Sequence, residues 1–105
     1  MCVVMVSEVR IRVPLDILSL VSDSLKNKLS ELELEIKVAK ERIRRFEEKY
    51  GMDSDSFLRK YEAGSLGDDE DFVAWYGELM FLKEAEREYE KLKMVIEDIR
   101  RGLSK

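Results

Sequence analysis

From Leu18 to Tyr50 the apolar residues fall alternately three and four apart. They are Leu18, Leu25, Leu29, Leu32, Ile36, Ala39, Ile43, Phe46 and Tyr50, with one seven-residue step across Ser22. Written as heptads, Leu15, Ser22, Leu29, Ile36, Ile43 and Tyr50 share one seam position, and Leu18, Leu25, Leu32, Ala39 and Phe46 share the other. A register held this long constrains the chain to a long helix with one apolar seam, packed as in a coiled coil or helical hairpin. Leu34 and Val38 lie beside the seam and widen the stripe, which predicts that more than one helix packs there. The remaining face carries Lys37, Lys40, Glu41, Arg44, Arg45, Glu47, Glu48 and Lys49, mixed charges suited to solvated ion pairs. Gly51 stands where a left-handed helix cap is expected.

Beyond Gly51 the residues from Asp53 to Asp71 form a polar bridge. Ser54 or Asp55 can cap a short helix carrying Phe57, Leu58 and Tyr61, after which Gly64 and Gly67 break the backbone. Asp68 is the expected N-cap of a second long helix, with the acids that follow complementing its dipole. This helix is predicted from about Asp69 to Arg101, with a seam of Trp75, Leu82, Ala85, Tyr89, Leu92, Ile96, Ile99 and Leu103. Phe72, Tyr76, Leu79, Met80 and Phe81 thicken its start. Gly102 and the Arg100-Arg101 pair read as stop signals. Two long helices joined by a connection of about 18 residues are expected to fold back as an antiparallel pair. The predicted class is all-α: an antiparallel long-helix hairpin, coiled-coil-like, with a short bridging helix and a short N-terminal β-strand.

The strand rests on Val9, Ile11 and Val13 alternating with Glu8, Arg10 and Arg12, and Pro14 ends it. No second strand is evident, so this one is expected to pair with another copy of itself or with a partner's sheet edge, or else to be a flexible arm. The expected organisation is therefore residues 1–13 as strand or arm and 14–105 as the helical hairpin domain. The text from Met5 reads as a natural start, which makes the first four residues an expected gene-start ambiguity.

Composition excludes much chemistry. There is one cysteine, Cys2, and no histidine, so the usual zinc and thiol–histidine sites are out of reach and a reducing, cytoplasmic setting is expected. The longest apolar run, at the start of the sequence and ending at Val6, is too short to span a bilayer. The acids Asp68 to Asp71 lack the spaced ligands of a calcium loop, and helix-start acidity explains them. No metal, cofactor or catalytic residue is expected, and the chain does not read as an enzyme. The residues from Asp53 onward carry 14 acidic against 9 basic side chains, which disfavours general phosphate-backbone binding. The candidate partner-binding residues are Phe57, Tyr61, Asp68, Asp71, Phe72, Trp75, Tyr76 and Phe81, since aromatic side chains both fill cores and anchor interfaces. Met80 and Phe81 fit the seam least well. Arg10 and Arg12 are the candidate nucleic-acid contacts.

The residues Lys49-Tyr50-Gly51-Met52, then Phe57 and Tyr61, then Gly64, Leu66-Gly67-Asp68, Asp71 and Trp75 form an ordered pattern over about a third of the chain. The pattern resembles that of small archaeal and bacterial antitoxins of two-gene toxin–antitoxin modules. The resemblance implies a cytoplasmic protein that binds and neutralises a partner toxin encoded by an adjacent gene, and that forms a dimer or larger homo-oligomer. Two other functions fit the residues: an oligomerising coiled-coil adaptor without a toxin, or a small DNA-binding regulator acting through paired N-terminal strands. The strand followed by a helix also resembles a ribbon-helix-helix module, but the heptads run from Leu15 to Tyr50 without the break that module needs.

Overall fold

In the computed structural model the chain is mostly helical, with one small antiparallel sheet. The structure describes residues 2–6 and 8–103; the Leu103 side chain, placed on the seam above, and Met1 lie outside the described residues. The elements in order are β1 (Cys2–Val6), β2 (Val9–Val13), α1 (Leu15–Tyr50), α2 (Ser54–Glu62) and α3 (Glu70–Leu103).

The expected lone strand has its partner within the chain. β1 pairs antiparallel with β2, Val4 opposite Ile11 and Val3 opposite Arg12. Cys2–Val6 is a continuous apolar run without alternation, which is why period two did not reveal it. The connection between the strands has two residues, and Glu8 in it takes φ 71° without the Asn-Gly or Asp-Gly that normally marks such a turn. Pro14 ends the ladder, and its carbonyl accepts the Leu18 N–H at 2.9 Å as α1 begins.

The chain divides into two compact units. The first unit comprises the described residues up to Glu33 together with those from Arg87 onward. Its core is Val4, Leu18 and Ile99, joined by Cys2, Val6, Val13, Leu25 and Val95. Gly102 lies within α3 and not beyond its end. A Cβ there would stand 3.0 Å from Val4 Cγ2, so the missing side chain makes room for the strand. In the same unit the Tyr89 hydroxyl donates to Glu33 at 3.1 Å.

The second unit, Leu34–Glu86, is built around Ile43, Phe57 and Trp75. Gly51 ends α1 at φ 60°, and the Met52 N–H reaches back to the Glu47 carbonyl at 3.2 Å, closing the helix as a Schellman turn. α2 ends in the same way, with Gly64 at φ 76° donating to Tyr61 and Ser65 donating to Lys60. The N-caps differ from expectation by a residue or two. Asp53, not Ser54 or Asp55, caps α2 by accepting the Ser56 N–H at 2.7 Å. Asp69, not Asp68, accepts the Asp71 N–H at 2.9 Å where α3 begins. Several adjacent residues could serve; Asp53 has the extended backbone, φ −75° and ψ 162°, that an N-cap takes.

Burial along the helices follows the seam. Of the eleven heptad positions in α1, only Leu15 is exposed, and even Ser22 is buried. Among the described residues no buried side-chain nitrogen or oxygen lacks a hydrogen-bond partner. Among them, too, no helix is long and apolar enough to cross a membrane.

Candidate protein-binding surface

The second unit, Leu34–Glu86, holds all the aromatic residues named from sequence as candidate partner contacts. Trp75 stacks on Phe57 with ring centroids 3.9 Å apart and planes 7° from parallel, and it stacks with Phe46 at 5.9 Å. Its indole N–H donates to the Ser54 hydroxyl at 3.1 Å, and the Ser54 hydroxyl and backbone N–H both donate to the Glu47 carboxylate at 2.9 Å. A polar thread thus runs from the centre of the aromatic core to α1. It also satisfies a donor in the first turn of α2 that the helix itself cannot pair.

Phe57 and Trp75 are 0% exposed. They have no surface to offer a partner, and their place is in the core. Phe72, Tyr61 and Tyr76 are half-buried against them, with Tyr61 stacked on Tyr76 at 4.9 Å and Phe72 tilted against Tyr50 at 5.1 Å. Asp68 is exposed. Asp71 is engaged by its own chain, accepting from the Lys49 ammonium and, at 2.6 Å, from the Tyr50 hydroxyl.

This Asp71 clamp has a pH signature. Hydrogen bonds from Lys49 and then Tyr50 hold the Asp71 carboxyl below the usual carboxylate range. The same contacts raise Lys49, whose largest cause is its bond to Asp71, and Tyr50, where burial adds to the bond. A depressed acid contributes stability that is present above its unfolded value and lost as pH falls through the folded one. Raised Lys and Tyr contribute stability that is present below their unfolded values and lost as pH climbs through the folded ones. The clamp therefore acts between about pH 4 and about pH 10. Asp71→Asn is expected to shallow both limbs of the profile of urea midpoint against pH; a profile unchanged at both ends would show the clamp to be inert.

Phe81 stands apart from the aromatic core. It is 43% exposed and borders an open groove of about 530 Å³, lined on α1 by Leu34, Val38 and Ala39 and on α3 by Ala74 and Gly77. Leu34 is 64% exposed and Val38 is also exposed, so the groove's margin is apolar where water meets it. At its rim Arg42 bonds to Glu78 at 3.0 Å. Leu34, Val38 and Phe81 were each conspicuous in sequence for lying off the seam. Ala74 and Gly77 were not, although their spacing with Phe81 puts all three on one helical face. Small residues leave no hydrophobic signal, and they are what makes the surface concave.

Arg10 and Arg12 lie far from this groove in sequence, on β2, where both are exposed. Among the described residues no three or more cysteine, aspartate or glutamate side chains converge as a metal ion would need. Comparison of the chain with protein-family models, curated proteins and solved structures yields no match.

Proposed function

We propose that the chain is a non-enzymatic protein-binding module of the antitoxin type, which seats an apolar segment of a basic partner toxin in the groove of its second unit. The observation that carries this reading is the groove itself. Leu34, Val38 and Phe81 are large apolar side chains left exposed around a concave floor of Ala39, Ala74 and Gly77. Clustered exposed apolar surface with a polar rim is characteristic of interaction sites. The charge of the unit supports a basic partner: residues 34–86 carry 14 acidic against 9 basic side chains, while the rest of the chain carries 9 against 10. Complementary charge of this kind steers and orients association.

The scaffold in this reading is an antiparallel, coiled-coil-like hairpin of α1 and α3. Its support is the order of contacts within the second unit, where Arg42 meets Glu78 and, further along α1, Tyr50 meets Asp71, earlier on α3. Pairing of β1 with β2 removes the need for a second copy to complete the strand.

Gly77→Leu separates the groove's role in binding from its role in folding. A Cβ at Gly77 meets nothing within 4 Å, and Gly77 lines the groove, so a larger side chain there is expected to occupy it. Leucine is a better helix former than glycine by about 0.8 kcal/mol, so the variant is expected to unfold at a higher urea concentration. Co-purification of the adjacent gene's product, and rescue of growth when that product is expressed, are both expected to fall by about tenfold or more. A variant that is stabilised yet binds and rescues as before would refute the groove. A neighbouring product that is neither bound nor toxic would refute the antitoxin reading.

A further inference from the structure

The outer edge of β2 has the features of a docking site for an extended strand. In a two-stranded sheet each strand pairs on one side only, and among the described residues no strand lies beyond β2. Four of its five residues are exposed, whereas β1 has Val4 at its centre, 1% exposed. The register puts Cys2, Val4, Val6, Val9, Ile11 and Val13 on one face of the sheet and Val3, Met5, Arg10 and Arg12 on the other. On the first face Cys2, Val4, Val6 and Val13 pack into the core. Val9 and Ile11 overhang it, at 57% and 41% exposed. One more strand beside β2 would cover these two with its own apolar side chains.

The arginines decide which strand fits. Arg10 and Arg12 stand opposite Met5 and Val3, so β1 gives neither a charged neighbour, and neither makes an ion pair among the described residues. β2 reads Val-Arg-Ile-Arg-Val, a palindrome about Ile11. Antiparallel pairing with a second copy would therefore match the valines but set Arg10 against Arg12 twice over. Like charges directly opposite destabilise a ladder, and opposite charges stabilise it. The side chains that repel a second β2 would attract a strand with acids at those positions. The edge also has no proline and no bulge to block addition.

From this we infer that β2 binds by β-strand addition an extended partner segment in which apolar residues alternate with acidic ones, the apolar residues covering Val9 and Ile11 and the acids pairing with Arg10 and Arg12. Backbone hydrogen bonds supply the attachment and the alternating side chains the selectivity. The site does not depend on the antitoxin reading, because it lies in the other unit and is tested with a different ligand.

The test uses the full chain and a capped synthetic peptide, Thr-Val-Glu-Val-Glu-Val-Thr, titrated by calorimetry. The expected result is saturable binding that weakens by about tenfold or more when both glutamates become lysines. Arg10→Glu/Arg12→Glu is expected to invert that preference. N-methylation of alternate peptide amides is expected to abolish binding in one frame and spare it in the other, a readout that charge attraction alone would not give. No binding up to about 1 mM, or equal binding of the two peptides, would overturn the proposal. So would binding of a duplex oligonucleotide in preference to the peptide, lost with the arginines, or a dimer in sedimentation that Ile11→Lys dissolves.

Discussion

Trp75→Ala is expected to lower the unfolding free energy by about 3–5 kcal/mol, the range for truncating a fully buried large aromatic side chain. Trp75 is 0% exposed and lies against Phe57, Phe46 and Tyr50, so the loss is felt on α1, α2 and α3 together. The substitution also leaves the Ser54 hydroxyl without the indole donor that the Glu47–Ser54 thread was built around. Trp75→Phe keeps a ring against Phe57 and gives up only the outer part of the indole and its N–H. Its expected cost is smaller, about 1–2 kcal/mol. Urea unfolding followed by far-ultraviolet circular dichroism measures both. A loss under about 1 kcal/mol for the alanine variant would show that the stack does not hold the second unit together.

The second large effect belongs to the other unit. A chain begun at Met5 lacks Cys2, Val3 and Val4, three of the five residues of β1. Val4 is the most buried residue of its core, packed where Gly102 leaves space on α3. Burying a valine is worth about 1.5–3 kcal/mol, and each lost cross-strand pair adds roughly 0.2–1 kcal/mol. The shortened chain is therefore expected to lose about 2–5 kcal/mol, read as a thermal midpoint lower by roughly 10 °C or more. Val4→Asp on the full chain should match or exceed it, because it leaves the strand's length unchanged and buries a charge. If the shortened chain melts with the full-length one, β1 adds nothing to the first unit.

The two expectations were unequally visible in the residues. The α1 seam was legible because each position repeats the same spacing, and one exception, Ser22, could not hide it. Trp75 was legible as a seam residue, but sequence could not decide between core and interface, since the same side chain serves both. Phe57 and Trp75 went to the core, and the exposed role fell to Phe81 and to residues noticed only as irregularities, Leu34 and Val38. β1 was hidden because a strand with apolar residues on both faces has no period, and its turn residue Glu8 takes a backbone conformation that its type rarely adopts. Helix ends shifted for a different reason: Asp53, Ser54, Asp55, Asp68 and Asp69 are all competent caps, and only the backbone selects among them. The groove depended on Ala74 and Gly77, whose contribution is the volume they do not fill.

The indole of Trp75 is also a fluorophore. It is the only tryptophan in the chain, and it is enclosed in the second unit. Its emission is consequently a private signal of that unit, shielded from water and sensitive to the neighbouring rings, while the first unit is silent at the same wavelength. The protein thus carries a built-in optical label that distinguishes opening of the second unit from unfolding of the first, without any dye or added residue.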